Sequence, residues 1–163
     1  MKIWIDADAC PKLIREVLFR TANRREIETI LVANQSIPTS DSRFIKSMVV
    51  RDGADVADNK IVELLQAGDL VITQDIPLAA RVVEKDAIAI GPRGERFDAN
   101  TVQSRLASRD LMEQLRSAGM ETSGPPPFNQ KDVREFSNQL DRTLTKLLKA
   151  EAEKQKVQSK EQD

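Results

Sequence analysis

The sequence contains no histidine and no tyrosine. Without histidine the chain lacks the usual general base at neutral pH and the commonest zinc ligand, and it cannot form a Ser-His or Cys-His catalytic pair. Any catalysis must use carboxylates, Lys, Arg, hydroxyls, a thiol or a metal ion. Carboxylates are weak bases at pH 7, with an unperturbed pKa of about 4, but they hold hard cations well. The composition therefore favours Mg²⁺ or Mn²⁺ chemistry, if the protein is an enzyme.

Cysteine and long hydrophobic runs are also scarce. The one cysteine, Cys10, excludes an intramolecular disulfide, and with no secretory signal it fits a reducing cytoplasm. Without histidine it is also a poor candidate for a nucleophile. The longest apolar runs, such as 30–33 and 70–73, fall far short of the ~20 residues that span a bilayer. We therefore expect a cytoplasmic protein with no membrane partner.

Neither sign of charge is in excess, since 25 Lys and Arg stand against 26 Asp and Glu. A nucleic-acid-binding surface is usually basic, and the overall balance gives no such signal, although a local basic groove is compatible with it. The 163 residues fit one domain. We place this domain, including the C-terminal helices, at 1–150. We expect the charged tail 151–163 to be frayed helix or disordered.

Short apolar segments alternate with amphipathic segments along the chain. The almost purely apolar character of the short segments indicates a parallel sheet that helices cover on both faces. The predicted fold is a doubly wound, three-layer α/β domain with a mainly parallel five-stranded sheet and C-terminal helices. Trp4, in the first strand, is expected in the core. The strands are predicted at 2–6, 26–33, 44–50, 70–73 and 87–90.

Glycine and asparagine mark the predicted helix ends. Gly68 is the expected end of the second helix, and Asn100 and Asn129 are the expected N-caps of the last two. The apolar stripe at 133–148 recurs at spacings of three and four. We expect this last helix to dock on the domain, because the connector at 124–127 is short; pairing with a second subunit stays open.

Aspartates follow the first and fourth predicted strands. Asp6 and Asp8 come after the first strand, and Asp75 comes after the fourth. Right-handed crossovers place the carboxyl ends of parallel strands at one edge, where such sheets bind ligands. We expect these acids to converge there, joined by Asp55 and Asp58 from the start of the second helix.

Each aspartate also has an ordinary structural explanation. Asp58 and Asp75 stand at helix starts, where acids cap the helix and complement its dipole, and Asp8 fits a turn. Asp6 is harder to explain, because burying an unpaired charge at a strand end is costly. Asp69, ahead of the fourth strand, should lie at the opposite edge and have no part in the site.

Several acids at one edge raise one another's pKa unless a cation lies between them. A hard divalent cation relieves this repulsion, and magnesium usually takes one or two direct carboxylates and keeps several waters. The candidate ligands of Mg²⁺ or Mn²⁺ are Asp6, Asp8, Asp55, Asp58 and Asp75.

The chain resembles the YaiI/YqxD family of small bacterial proteins over nearly all of 1–150, in five motifs that occur in order: IDADACP, GADVADNKI, TQDIPLA, GPRGERF and PPPFNQKDVREFSNQLDRTL. That family is in turn similar to PIN-like nuclease domains. The resemblance implies strand order 3-2-1-4-5 and an acidic pocket for Mg²⁺ or Mn²⁺. Asp6 and Asp75 match the PIN-like acids after the first and fourth strands. Asp58, with Asp55 near it, stands for the mid-chain acid, where Glu is frequent.

The resemblance implies a divalent-metal-dependent phosphodiesterase or nuclease, with RNA the favoured substrate and Asp6, Asp58 and Asp75 as catalytic residues. Phosphodiester hydrolysis needs positive charge where negative charge develops. The candidate substrate-binding cations are Arg43, Lys46, Lys60, Arg81 and Arg93. The candidate hydroxyl donors in the loop 34–42 are Ser36, Thr39 and Ser40. Each cation is equally explained as a solvated surface charge, and each hydroxyl as a common loop residue.

Two other interpretations stay open. In one, the DAD run starts an aspartyl phosphatase of the haloacid dehalogenase type, with Asp6 as nucleophile and Asp8 as acid; that chemistry wants a hydroxyl residue soon after Asp8, where Ala9, Cys10 and Pro11 stand. A phosphorylated Asp6 could then be trapped, whereas a nuclease needs no covalent intermediate. In the other, the domain binds metal, RNA or a protein partner without catalysis.

Overall fold

The protein is described by a computed structural model over residues 1–39, 41–122, 124 and 126–161. Ser40, one of the candidate hydroxyl donors, therefore lies outside the described residues. Strands and helices alternate along the chain as predicted. The elements are β1 (Ile3–Asp6), α1 (Lys12–Arg25), β2 (Thr29–Ala33), β3 (Ile45–Val49), α2 (Val56–Leu64), β4 (Leu70–Ile72), α3 (Ile76–Glu84), β5 (Ile88–Ile90), β6 (Arg96–Phe97), α4 (Val102–Ser117) and α5 (Gln130–Glu161).

The strands form one mixed sheet in the order β3-β2-β1-β4-β5-β6. The first five strands are parallel, so the predicted order 3-2-1-4-5 is confirmed. β6 was not predicted. It is a two-residue strand that follows a tight turn and runs antiparallel to β5, with Phe97 opposite Ala89. The central position of β1 and β4 places their carboxyl ends side by side.

Helices cover both faces of the sheet. Successive side chains of each strand point to opposite sides, so the apolar strands present a surface to be buried on each face. Ile3 and Ile5 of β1 belong to the core beneath α1 and α5. Trp4 belongs to the core beneath α2 and α3 and is only 3% exposed, as predicted. The doubly wound, three-layer α/β class is therefore confirmed.

The last helix docks on the domain, as predicted. It packs on the face of the sheet that α1 also covers. Its buried residues are Phe136, Leu140, Thr143 and Leu144. Gly94, in the turn before β6, allows a close approach: a Cβ at this position would lie 2.9 Å from the carbonyl carbon of Glu135. The backbone there has φ +90, which also favours glycine.

The start of β2 and the end of α2 depart from the sequence prediction. β2 begins at Thr29 rather than at residue 26, because α1 continues to Arg25 and ends in a left-handed Glu26 with φ 56. α2 ends at Leu64, ahead of Gly68, because Leu65 takes an extended conformation. The remaining strands start or end within a residue or two of their predicted bounds.

The caps of the last two helices differ in how well the sequence predicted them. Asn129 caps α5 as expected: its side chain accepts from the backbone N–H of Asp132, and Asp132 accepts in return from Asn129. Asn100 is not the cap of α4, so this prediction was wrong. Asp98 accepts the N–H groups of Asn100 and Thr101, and helix geometry starts after Thr101.

α5 continues to Glu161, so the described part of the tail, for which the sequence predicted frayed helix or disorder, is an exposed extension of this helix. Within the described ranges, no helix is both long and apolar enough to cross a membrane.

Candidate active site

The carboxyl ends of β1 and β4 meet at one edge of the sheet, where Ile5 lies beside Ile72. Asp6 is the last residue of β1. Thr73, which follows β4 and is 2% exposed, donates its hydroxyl to Asp6 Oδ2 at 3.0 Å. The hydroxyl oxygen of Thr73 in turn accepts the backbone N–H of Asp75 at 3.0 Å. One buried hydroxyl therefore links the two acids that the sequence predicted to face each other.

Thr73 was not singled out from the sequence. Its only local signal is a hydroxyl at the end of an apolar strand, directly before an acid-bearing turn. Because a buried hydroxyl is costly without a partner, such a residue at a strand end indicates a polar neighbour. That neighbour is Asp6, from a strand 67 residues away in sequence.

Asp6 is 9% exposed and carries a carboxylate in an unfavourable place. Burial raises the pKa of Asp6, the hydrogen bond from Thr73 lowers it, and the negative charges of Asp75 and Asp8 raise it again. The net direction is upward. A cation bound beside Asp6 would therefore offset the cost of its buried negative charge.

Asp58 joins the cluster from α2, which packs against β1, β2 and α3. It lies in the first turn of α2. The pKa of Asp58 is raised to about 6, first by burial and then by the charges of Asp75, Asp6 and Asp55 and by a hydrogen bond between its carboxyl group and that of Asp75. The structure thus brings Asp6, Asp55, Asp58 and Asp75 together, and Asp8 also acts on Asp6 through its charge.

Asp55 and Asp75 occupy the N-cap positions of α2 and α3. Asp75 is a true cap, since its Oδ1 accepts from Leu78 N at 3.0 Å. Asp55 makes no capping hydrogen bond and has a left-handed backbone with φ 63. Asp58 is not the cap, although its place in the first turn of α2 still complements the helix dipole. The carboxyl group of Asp75 also hydrogen-bonds that of Asp58.

Asp8 stands apart from this group on the β2 side. Its Oδ2 accepts the backbone N–H of Asn34 at 3.1 Å, just after β2 ends. Asp8 is exposed and reaches the cluster through its charge on Asp6. Its position suits an outer, water-mediated contact better than a central one.

Three of the candidate cations are held in other contacts. Arg93 bonds Asp132 at 2.9 Å and the carbonyl oxygen of Pro126 at 2.7 Å, which fastens the start of α5. Arg81 donates to Asn59 Oδ1 at 2.8 Å, and Lys60 lies 3.7 Å from Glu63. The contacts of Arg93 and Arg81 join separate parts of the fold, and that of Lys60 lies along α2.

The structure does not bring Arg43 and Lys46 to the cluster. Both lie at the amino end of β3, and in a parallel sheet this end belongs to the edge opposite the acids. Arg43 covers the ring of Phe44 at 4.8 Å, and Lys46 bonds Glu28 at 3.3 Å. Asp69 also lies at this opposite edge, as predicted, where it accepts the backbone N–H of Lys2.

Two arginines missed by sequence reasoning do face the acids. Arg109 and Arg116 of α4 line an open cleft together with Asp6 and Asp75. Their spacing of seven places them on one face of the helix, and α4 packs against α3, whose first residue follows Asp75. The spacing was visible in the sequence, but the crossing of α4 over this edge was not.

No three carboxylate or thiol groups in the described ranges are arranged as a ready metal-ligand set. Magnesium, however, needs only one or two direct carboxylates with waters in the other positions. The donors at this edge are all hard oxygens, and the pKa values of Asp6 and Asp58 are raised first by burial and then by neighbouring negative charges, both of which a bound cation would offset. The donor set therefore fits a hard divalent ion on chemical grounds.

Comparison with known proteins agrees with the resemblance seen in the sequence. The model of the uncharacterised bacterial YaiI/YqxD family matches residues 4–146. The chain belongs to this family. UPF0178 proteins are similar over most of their length: 51% identity with that of Pectobacterium atrosepticum over 92% of this chain and 100% of the relative, 54% with that of Herminiimonas arsenicoxydans over 90% and 98%, and 55% with that of Shewanella amazonensis over 91% and 100%.

No solved structure matches the chain. The YaiI/YqxD match includes the aspartates of the cluster, Thr73 and the two cleft arginines, since all lie within 4–146. The names of the family and of these relatives state no activity, so the function has to be inferred from the site.

Asp58→Asn should stabilise the protein in metal-free buffer. The folded state holds the Asp58 proton up to a pKa of about 6, whereas the unfolded chain releases it near pH 4. The free energy of unfolding therefore falls as pH rises from about 4 to about 6, and above that range the full cost is present. Because Asp58 is half-exposed, screening limits this cost to about 1 kcal/mol.

Urea unfolding of wild type and Asp58→Asn in EDTA, at pH 4 and pH 7.5, measures this effect. The variant should be more stable than wild type at pH 7.5 and close to it at pH 4. Asp141→Asn, an exposed acid on α5, is the matched control and should show no such difference. Equal pH profiles for wild type and Asp58→Asn would contradict a repulsive cluster.

Proposed function

We propose that the protein is a divalent-metal-dependent phosphodiesterase that cleaves single-stranded RNA. The observation that carries this proposal is the cleft in which Asp6 and Asp75, with Asp58 beside them, face Arg109 and Arg116. Adjacent negative and positive groups suit a substrate that brings a cation and an anion together. A phosphodiester bound with Mg²⁺ or Mn²⁺ is such a substrate.

Asp6 and Asp75 would hold the ion directly, with Asp58, Asp55 and Asp8 at outer positions through water. When bound, Mg²⁺ or Mn²⁺ lowers the pKa of a water and polarises a phosphate oxygen. The hydrogen bonds already present assign the remaining oxygens: Thr73 occupies Oδ2 of Asp6, and Leu78 N occupies Oδ1 of Asp75. On Asp6 the oxygen left for a ligand is Oδ1, while the carboxyl group of Asp75 also hydrogen-bonds that of Asp58.

Arg109 and Arg116 would bind the phosphate. Guanidinium groups match phosphate oxygens in two-point hydrogen bonds and keep their charge at all working pH values. Seven residues of helix correspond to about 10 Å, which exceeds the size of one phosphate group. The pair therefore suits a backbone with successive phosphates better than a mononucleotide.

The direct test is incubation of the protein with a mixed pool of single-stranded RNA and DNA oligomers in Mg²⁺, Mn²⁺ or EDTA. We expect RNA cleavage that requires either metal and that is weaker on DNA. Calorimetry on the same samples measures metal binding. Metal binding with no cleavage of any oligomer would favour the non-catalytic alternative, and a trapped phosphorylated Asp6 would favour the phosphatase.

Replacing both cleft arginines tests the phosphate contact. Arg109→Gln with Arg116→Gln should lower kcat/KM on RNA by about a hundredfold, since removing one transition-state donor commonly costs 10²–10³ and exposed arginines fall at the low end. The dependence of binding on salt should weaken as well, because fewer phosphate contacts release fewer counterions.

The matched control for this pair is Arg142→Gln, an exposed arginine on α5 that bonds Gln139. It carries the same Arg→Gln substitution once, away from the cleft, and should leave kcat/KM and the salt dependence as in wild type. If the double variant cleaves RNA as fast as this control, the arginines of α4 do not contact the substrate.

A further inference from the structure

A groove lies on the β2 side of the acid cluster, across β1 from the arginines of α4. α1 and the loop after β2 both start at the carboxyl edge of the sheet and form its two walls. Its lining residues are Lys12, Arg15, Glu16, Phe19, Ile37, Pro38 and Thr39. The groove is therefore built from the same edge as the candidate active site.

The loop that forms one wall of the groove also contacts the acids. Asp8 accepts the backbone N–H of Asn34, the first residue after β2 and part of that loop. Arg15, which lines the groove, acts through its charge on the Cys10 thiol, as does Asp6. A ligand bound at the acids would therefore have the groove next to it.

The groove combines an apolar wall with positive charge. Phe19, Ile37 and Pro38 supply the apolar surface, and Lys12 and Arg15 supply two positive charges against the single negative charge of Glu16. Arg15 Nε is buried and has no hydrogen-bond partner among the described residues. A buried donor without a partner is costly; Arg15 as a whole is half-buried and lines the groove, so its guanidinium can turn towards an acceptor supplied by a ligand.

Phe19 is the aromatic side chain placed for this role. Phe97 and Phe136 are buried in the core, while Phe44 and Phe128 are covered by Arg43 and Arg93. Phe19 is partly buried against the core and lines the groove with the rest of its surface. Base stacking on such rings is a general means of binding single strands.

We propose that this groove binds the nucleotide next to the scissile phosphate of a single-stranded RNA. The base packs on Phe19 and Ile37, and the adjoining phosphate binds Arg15 and Lys12. This inference rests on the proposed function and extends it: the strand crosses the acids from the arginines of α4 to the groove. A duplex would leave no free base face for Phe19, so the substrate is single-stranded.

Binding of a fluorescein-labelled RNA octamer, measured by anisotropy in EDTA, tests the groove without cleavage. Phe19→Leu keeps the apolar volume and removes the flat ring; we expect Kd to rise about tenfold, within the range for lost stacking. Arg15→Gln should raise Kd to a similar extent and should lower the salt dependence. Arg142→Gln is the control, and thermal unfolding establishes that each variant is folded.

A second octamer with a single abasic position, moved along the strand, separates stacking from a structural effect of the substitution. At the position that the groove contacts, wild type and Phe19→Leu should bind the abasic strand equally. A constant tenfold difference at every position would overturn base stacking on Phe19.

The outcomes for groove and nuclease are distinguishable. If wild type cleaves RNA with metal while Phe19→Leu and Arg15→Gln bind the octamer as wild type does, the groove proposal is overturned and the nuclease stands. If wild type binds the octamer through the groove and cuts nothing, the groove stands and the nuclease is overturned. If wild type binds no octamer, the groove proposal is overturned whether or not RNA is cleaved.

Discussion

Asp6→Asn should lower kcat/KM for metal-dependent RNA cleavage by about a thousandfold or more, the order expected when one member of a catalytic unit is removed. Asp6 is the most buried acid of the cluster, and its carboxylate is joined to Asp75 through Thr73. Asparagine keeps the size of the side chain and an oxygen for the Thr73 hydroxyl. It removes the charge that would hold the cation, so metal affinity measured by calorimetry should fall by about a hundredfold.

Loss of the fold does not explain this expected result. Because burial and neighbouring charges raise the pKa of Asp6, its ionised form is a cost to the folded state at neutral pH. Asp6→Asn removes that cost and should unfold at the same temperature as wild type, or higher, in EDTA. Adding Mg²⁺ should then raise the unfolding temperature of wild type and leave that of the variant unchanged, since a ligand stabilises only the protein that binds it.

Asp141→Asn is again the control, with the same chemical change on an exposed part of α5, and should retain wild-type cleavage and metal binding. If Asp6→Asn cleaves RNA at the rate of this control, the reaction occurs elsewhere. If it loses cleavage and still binds metal as tightly as wild type, Asp6 acts on the substrate and not on the ion.

The convergence of the acids could be predicted because it follows from a rule about strands. Asp6 ends the apolar strand β1 and Asp75 lies just beyond β4, and parallel strands end at one edge. Asp58 is brought in by the start of α2, which also lies at that edge. The assignment of Arg43 and Lys46 used charge and loop position alone. The same strand rule places them at the opposite edge, because they precede or begin β3.

The arginines of α4 and the groove at Phe19 could not be predicted from local pattern. Each depends on how a helix or loop crosses the sheet edge, and this is set by packing between distant segments. Val102 is the buried residue of α4, and it anchors the helix where Arg109 and Arg116 reach the cleft. Nothing in the sequence of α4 identifies the neighbours of those arginines.

Asp69→Ala should lower the free energy of unfolding by about 3 kcal/mol or more. Asp69 is 3% exposed and accepts three hydrogen bonds: from Lys2 N at 2.9 Å, from Trp4 Nε1 at 3.1 Å and from Gln66 N at 3.0 Å. Alanine leaves three donors without an acceptor, and each unsatisfied buried donor costs about 1–3 kcal/mol. For a chain of this length we expect the unfolding temperature to fall by about 10 °C.

The same aspartate separates structure from function within one protein. Trp4 is the only tryptophan, so urea unfolding followed by its fluorescence reports directly on the group that Asp69 holds. Asp69→Asn keeps one acceptor and should lie between wild type and Asp69→Ala, while Asp141→Ala should change little. Below its unfolding transition Asp69→Ala should still bind metal and cleave RNA, because Asp69 lies at the sheet edge opposite Asp6. Loss of cleavage in a folded Asp69→Ala protein would contradict the assignment of the reaction to the carboxyl edge alone, and destabilisation below about 1 kcal/mol would contradict the three-acceptor role.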